Sequence, residues 1–232
     1  MSGEQVPLAL RLDSEASFDN FWPAGNEAVM HALTALAAKP EQQWLYLAGQ
    51  SGSGVSHLLQ ATVNAATEAH CQAMYFDLRE VASSSAVESL VGFEQFDLVV
   101  LDHIDAIAGK EDWELALFSL LNRLREAQRA LLCGAAQVPA QLPLDLSDLR
   151  SRLAWAACYQ LRELDDAGKM AWLAFMAERR GLELNDDVAA FMLRRCTRDS
   201  RSLVAAVERL DKASMTYQKR LTVPFVKQVL GF

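Results

Sequence analysis

From Trp44 to about Gln160, short continuous apolar runs alternate with longer stretches whose apolar residues recur at helical spacing. The runs are WLYLA (44–48), AMYFD (73–77), FDLVVLD (96–102), ALLCG (130–134) and CYQL (158–161). Continuous runs of this length suit strands buried on both faces, and helices between them imply a parallel sheet. The pattern therefore predicts an α/β unit with five parallel strands.

After Leu161 the strand-like runs stop and only helical spacing remains. Asp165 is placed to cap a helix running to Gly181, with Met170, Leu173 and Met176 or Ala177 on one face. Asn185 can cap a second helix with Val188, Phe191 and Met192 inward. A third begins near Ser200, with Leu203, Val207, Leu210 and Tyr217 at helical spacing. Thr222 and Pro224 open a short last one. The opening stretch MSGEQVPLALRL lacks helical periodicity and reads as an extended tail. The expected organisation is a tail over 1–16, an α/β domain over 17–163 and a small helical domain over 164–232.

Length and composition leave this picture standing. A chain of 232 residues can hold one sizeable domain with a smaller one attached. A net charge of −8 argues against a dominant, sequence-independent grip on nucleic acid, which needs a basic face. Cys71, Cys133, Cys158 and Cys196 make no C-x-x-C pair, and the four histidines are scattered, so no metal-ligand grouping is visible. The cysteines read as buried free thiols of a reducing compartment. Nothing at the start resembles a signal peptide, and no run approaches the ~18 apolar residues of a membrane span. The expected location is the cytoplasm.

Candidate chemistry begins at GQSGSGVSHLL (49–59). Gly49, Gly54 and Ser56 stand where a phosphate-binding loop G-x-x-x-x-G-K-[ST] needs them, with Val55 in place of the lysine. Strand, glycine-rich turn and helix follow one another here. Three glycines let backbone amides point inward and cradle a phosphate at the positive end of a helix. The Ser56 hydroxyl is placed to reach Mg²⁺. None of this needs the lysine, whose loss falls on the terminal phosphates; a charged hydrogen bond there is worth ~1.5–3 kcal/mol. A generic glycine-rich strand-to-helix turn is the bland alternative. FDLVVLDHID (96–105) then places Asp102 at the end of a buried strand, like the carboxylate that holds Mg²⁺ in nucleotide hydrolases. Such enzymes usually carry a second acid next, where this chain has His103. A lapsed hydrolytic site is the expectation, with His103 as a base the alternative.

With these motifs placed, the chain resembles AAA+ proteins of the DnaA type, and among them the homologues that inactivate the bacterial replication initiator. The resemblance covers nearly the whole chain. It implies an AAA+ P-loop core followed by a helical lid, with Gly49, Gln50, Ser51, Gly52, Ser53, Gly54, Val55, Ser56 and His57 at nucleotide-binding positions. SFDNFWPAGN (17–26) resembles the family's adenine-side segment, so Phe18, Phe21, Trp22 and Pro23 are expected to wall a base pocket or to serve as core. LSDLRSRLAW (146–155) resembles the segment whose second arginine, here Arg152, crosses a subunit interface as an arginine finger. Without the resemblance, Arg150 and Arg152 read as a solvated surface pair. RDSRSLVAAVERLD (198–211) places Arg201 at the position of the lid's sensor arginine. QVPLAL (5–10) resembles the peptide with which replication proteins dock on the β sliding clamp, with anchors at Gln5, Leu8 and Leu10.

Three departures bear on function. Val55 replaces the lysine, His103 the second acid, and no polar sensor residue stands at Ala135 or Ala136. All three weaken the handling of a terminal phosphate. The resemblance thus implies a protein that holds a nucleoside diphosphate, ADP by family, without hydrolysing nucleotide itself. Where a metal accompanies the nucleotide, Asp102 and Ser56 would hold Mg²⁺. The implied partners are the DnaA initiator, whose bound ATP would be hydrolysed with help from Arg152, and the β clamp loaded on DNA. The chain ends at Phe232 without the helix-turn-helix domain of DnaA, so DNA contact is expected to be indirect or weak. Homo-oligomerisation and base preference stay open. The rival expectation is an AAA+ ATPase of helicase-loader or clamp-loader type with its own hydrolysis.

Overall fold

Each of the five apolar runs forms a strand. The structure is a computed structural model that describes residues 13–14, 16–83, 86–197 and 200–232, without the side chain of Arg201. The peptide bearing Gln5, Leu8 and Leu10 lies outside the described residues.

In chain order the elements are α1 (Glu27–Ala38), β1 (Trp44–Ala48), α2 (Val55–Glu68), β2 (Ala73–Asp77) and the short α3 (Leu78–Val81). Next come β3 (Leu98–Asp102), α4 (Glu111–Glu126), β4 (Ala130–Ala135), α5 (Ser147–Leu153) and β5 (Ala157–Gln160). All strand pairs are parallel and the order is β2-β3-β4-β1-β5.

The burial of the inner strands follows from the period-two alternation of a strand between two helical layers. Leu45, Leu47 and Val100 pack with Leu33 of α1 and Leu58 and Leu59 of α2. Tyr46, Val99 and Leu101 face the other way, onto Leu117, Leu120 and Leu121 of α4. Every residue of β3 and β4 is buried. The CYQL run departs from the expectation of burial on both faces, because β5 pairs only with β1 and largely faces solvent as an edge strand.

Chain contacts divide the protein into two units. The first comprises the chain up to Phe21 with Asn26–Gln50 and Gly54–Leu161; the second comprises Trp22–Gly25, Ser51–Ser53 and Arg162–Phe232. The bulk of the second unit is helical: α6 (Asp166–Glu178), α7 (Asp186–Arg195), α8 (Ser200–Tyr217) and α9 (Val223–Leu230). Its core gathers Leu173, Met192, Leu203, Val207, Leu210 and Val226.

Three of these helices start on the expected side-chain caps. Asp165 accepts from the Gly168 amide at 2.7 Å, Asn185 from the Val188 amide at 3.0 Å and Thr222 from the Phe225 amide at 3.4 Å. A cap of this kind is worth about 1 kcal/mol. Tyr217 differs from its inward expectation and is 58% exposed. It lies about two turns past Leu210, and its ring meets Phe225 edge-on, with centroids 6.2 Å apart.

The four cysteines are free, but only Cys133 is fully buried, and Cys158, on the edge strand, is exposed. Among the described residues no helix is long and apolar enough to cross a membrane.

Candidate functional site

The glycine-rich loop leaves the C-terminal end of β1, where ligands of open parallel sheets bind. The Gly49 amide donates to the Ala135 carbonyl at 3.0 Å and fixes the start of the loop on β4. Gly52 and Gly54 have φ of +85° and +99°, a region that side chains disfavour. Gly54 caps α2, and the Leu58 amide donates to its carbonyl at 2.9 Å. The first amides of an α-helix have no partner within the helix and form its positive end. The Ser53 hydroxyl is buried and has no hydrogen-bond partner. A buried hydroxyl without a partner carries a desolvation penalty that a ligand oxygen would relieve. Gly54 and the positive end of α2 fit a phosphate group.

Two residues at nucleotide-binding positions turn their side chains elsewhere. Val55 is 8% exposed and belongs to the core with Leu58 and Leu59, so only its backbone can face an anion. His57 donates from Nε2 to the Ser17 carbonyl at 2.9 Å and stacks on Phe21, with ring centroids 6.3 Å apart. It secures the aromatic segment to α2. Phe21 in turn lies on the loop: a β-carbon at Gly54 would stand 2.7 Å from Phe21 Cε2. Phe18 packs against the core beneath α1 and α2. Within the second unit, Trp22 lies 5.2 Å from the Phe175 ring and its Nε1 is buried without a partner. Pro23, Gln50 and Ser51 are exposed and Ser56 is half-buried. Arg201 opens α8, and its side chain lies outside the described ones.

A second group forms at the ends of β2 and β3, where Asp77 and Asp102 are register neighbours. Asp102 is 1% exposed. The Tyr75 hydroxyl donates to its Oδ2 at 2.8 Å and the His103 amide to its Oδ1 at 2.8 Å. Arg79 donates to both oxygens of Asp77, from its backbone and from its guanidinium, each at 2.9 Å. Burial alone would raise the Asp77 pKa, but His103 and Arg79 outweigh it and hold the carboxyl well below the usual carboxylate range. Burial, reinforced by the Asp102 charge, pushes the Tyr75 hydroxyl up, so it stays a donor.

His103 has a left-handed backbone, φ 56°, and its Nδ1 lies 3.1 Å from Asp77 Oδ1 and 3.2 Å from Asp102 Oδ1. The expectation that no metal-ligand grouping exists is thereby corrected, since these three donors converge. Asp77 lies far along the chain from the adjacent pair Asp102 and His103, and that separation hid the group. Gly134 of β4 makes room for the group: a β-carbon there would stand 2.9 Å from Val55 Cγ1 and 3.0 Å from Asp102 Oδ1. Beside it, the Ala136 amide donates to Asp105 Oδ1 at 3.2 Å, and neither Ala135 nor Ala136 offers a polar side chain.

Arg152 sits in the last turn of α5. Its guanidinium lies 4.2 Å from the Trp155 ring centre and 5.5 Å from that of Phe118. Arg125 of α4 also stacks on Trp155, at 4.0 Å. Trp155 is 50% exposed, so this patch of one aromatic ring and two cations faces outward. The start of α5 is held by a buried carboxylate. Glu114, 1% exposed, accepts from the Gly109, Asp145 and Leu146 amides at 2.8, 3.2 and 2.7 Å. Sequence reasoning assigned neither Trp155 nor Glu114. Trp155 stood within the segment that carries Arg152, and its exposure was the missing signal. Glu114 shares the first turn of α4 with Glu111 and Asp112 and looks there like one more solvated acid.

The family model of the bacterial DnaA ATPase domain matches residues 12–160, and that of the Hda lid domain matches residues 166–230. Domain III of the replication initiation protein DnaA from Thermotoga maritima is 23% identical and superposes with a TM-score of 0.78, covering 95% of this chain and 97% of that one. AMPPCP-bound DnaA from Aquifex aeolicus is 21% identical, with a TM-score of 0.75 over 88% of this chain and 67% of that one. The RuvB Holliday junction branch migration motor of Thermotoga maritima is 17% identical, with a TM-score of 0.64 over 93% and 71%. At these identities the solved structures speak for the fold alone.

Proposed function

This chain belongs to the bacterial DnaA ATPase domain family, and we propose that it acts on a DnaA initiator in trans, holding ADP in its own site. It is an Hda-like, DnaA-homologous AAA+ protein, and the finer reading concerns what its site does. Val55 is the observation that carries it. Where the loop would extend a lysine to the terminal phosphates, an apolar side chain turns into the core. The amides of Gly54–Ser56 at the start of α2 remain for a diphosphate. Phe18 and Phe21 stand on the base side. When a nucleotide is bound, Ser56 and Asp102 would hold Mg²⁺, which supplies charge neutralisation to the phosphates.

Arg152 supplies the chemistry. Resting on Trp155 at the surface, its guanidinium is free to reach the ATP of an adjacent initiator subunit and stabilise the charge that builds on the transferring phosphoryl group. Gln5, Leu8 and Leu10 would meanwhile tether the protein, in the cytoplasm, to a β clamp loaded on DNA, raising its local concentration near replicating DNA. The initiator would pass from its ATP to its ADP form and re-initiation would be held back.

The test is hydrolysis of DnaA-bound ATP in the presence of clamp-loaded DNA, with this protein preloaded with ADP, with ATP or with nothing. The ADP-loaded protein is expected to accelerate hydrolysis while turning over little nucleotide alone. Turnover by the isolated protein that disappears on Asp102→Ala, with the initiator unaffected, would favour a self-contained motor instead.

The nucleotide loop has its own check. ADP at a hundredfold excess over Kd stabilises its host by ~2.7 kcal/mol. Gly54→Ala forces a side chain into positive φ and against Phe21. We expect that variant to lose the ADP-induced rise in melting temperature; a full shift would mean the loop does not hold the nucleotide.

A further inference from the structure

We propose that Asp77, Asp102 and His103 form a binding site for one divalent transition-metal ion of the zinc class, occupied when no nucleotide-borne magnesium engages Asp102. The donor atoms of all three side chains lie within 4.8 Å of one another. Metal–ligand bonds of about 2.0–2.2 Å place neighbouring ligand atoms about 3.0–3.5 Å apart. His103 Nδ1 stands 3.1 and 3.2 Å from the two carboxylate oxygens, which is that spacing.

Nδ1 is buried without a well-aligned hydrogen bond, although one oxygen of each carboxylate stands close to it.

The outer contacts suit the same role. Oδ1 of each carboxylate lies near His103 Nδ1 and also accepts a backbone amide, from Arg79 in Asp77 and from His103 in Asp102, while Oδ2 accepts from the Arg79 guanidinium in Asp77 and from the Tyr75 hydroxyl in Asp102. Partners of this kind orient ligating carboxylates. The two carboxylates outnumber the one guanidinium beside them, an excess of negative charge that a dication complements. One ring nitrogen and two oxygens favour Zn²⁺, Co²⁺ or Mn²⁺ over Mg²⁺, which prefers an octahedron of oxygens. Three protein donors leave a fourth position for water or an incoming ligand.

The proposal is tested on the full chain, stripped of metal and free of nucleotide, by titration with Co²⁺ followed by visible absorption and by Zn²⁺ calorimetry. We expect one equivalent of Co²⁺ to bind with a visible band, to be displaced by Zn²⁺ and to persist in millimolar Mg²⁺. His103→Asn should lose the band, and asparagine tolerates the left-handed backbone at this position. Tyr75→Phe keeps all three donors and should weaken binding ~10–100-fold. Thermal melts of the metal-free variants, with Asp77→Asn as a second loss-of-donor variant, report whether each is folded. Absence of saturable binding at one equivalent in the wild type overturns the site. So does binding that survives both His103→Asn and Asp77→Asn, since the ion would then sit elsewhere.

Discussion

An Arg152→Ala variant is expected to lose stimulated hydrolysis of DnaA-bound ATP while keeping its fold and its attachment to the clamp. A guanidinium reaching a transferring phosphoryl group is worth ~10³–10⁵ in rate, so the deletion should bring the initiator back to its unassisted rate. Stability should change little. Arg152 rests on the faces of Trp155 and Phe118 at the protein surface, and its removal leaves no buried charge without a partner. Trp155 would still carry Arg125, 4.0 Å from its ring centre. Arg152→Lys should restore little, because an ammonium lacks the planar fork and the stacking of a guanidinium. Single-turnover hydrolysis of initiator-bound ATP, alongside clamp binding and thermal melting of the variant, checks all three expectations. Full stimulation by Arg152→Ala would remove the finger from the mechanism.

Glu114→Ala should have the largest effect on stability. One buried carboxylate satisfies three backbone amides, two of them in the turn that leads into α5. The bonds are part-buried, with Gly109 and Asp145 exposed, so water can replace some of them; an amide left buried without an acceptor costs ~1–3 kcal/mol, and a loss of about 2–3 kcal/mol is expected from the α/β unit. At ~2–4 °C per kcal/mol the melting temperature should fall by roughly 4–12 °C. Glu114→Gln should fall between, since one amide oxygen can still accept while its NH₂ group meets other donors. Because α5 carries Arg152, stimulated hydrolysis should decline with the anchor. A Glu114→Ala protein that melts with the wild type would show that the three amides find other acceptors.

The large effects therefore sit on residues of unequal visibility. Arg152 stood out because LSDLRSRLAW resembles a segment of known role. Glu114 did not, because its value lies in amides thirty residues away and in a neighbouring loop. Along one helix, a carboxylate that faces solvent and one that turns inward follow the same spacing rules.

Local chemistry alone determined much of this protein. Five strands follow from five apolar runs. The caps at Asp165, Asn185 and Thr222 follow from short polar side chains that reach amides three residues ahead. The glycine-rich turn between β1 and α2, and the loss of lysine at Val55 and of a second acid at His103, were equally legible, because each rests on neighbours in the chain.

What only the tertiary structure decided depends on strand order and burial. The β2–β3 pairing sets Asp77 beside Asp102 and joins it to the chain neighbours Asp102 and His103 in one group. The edge position of β5 exposes a run that reads as buried. The packing of α2 against β4 sends Val55 into the core and brings the helix start close to Asp102 through the missing side chain of Gly134. Propensity and capping act over a few residues and can be read from the chain. Which distant side chains meet in the water-excluded space between sheet and helices is set by how the layers stack.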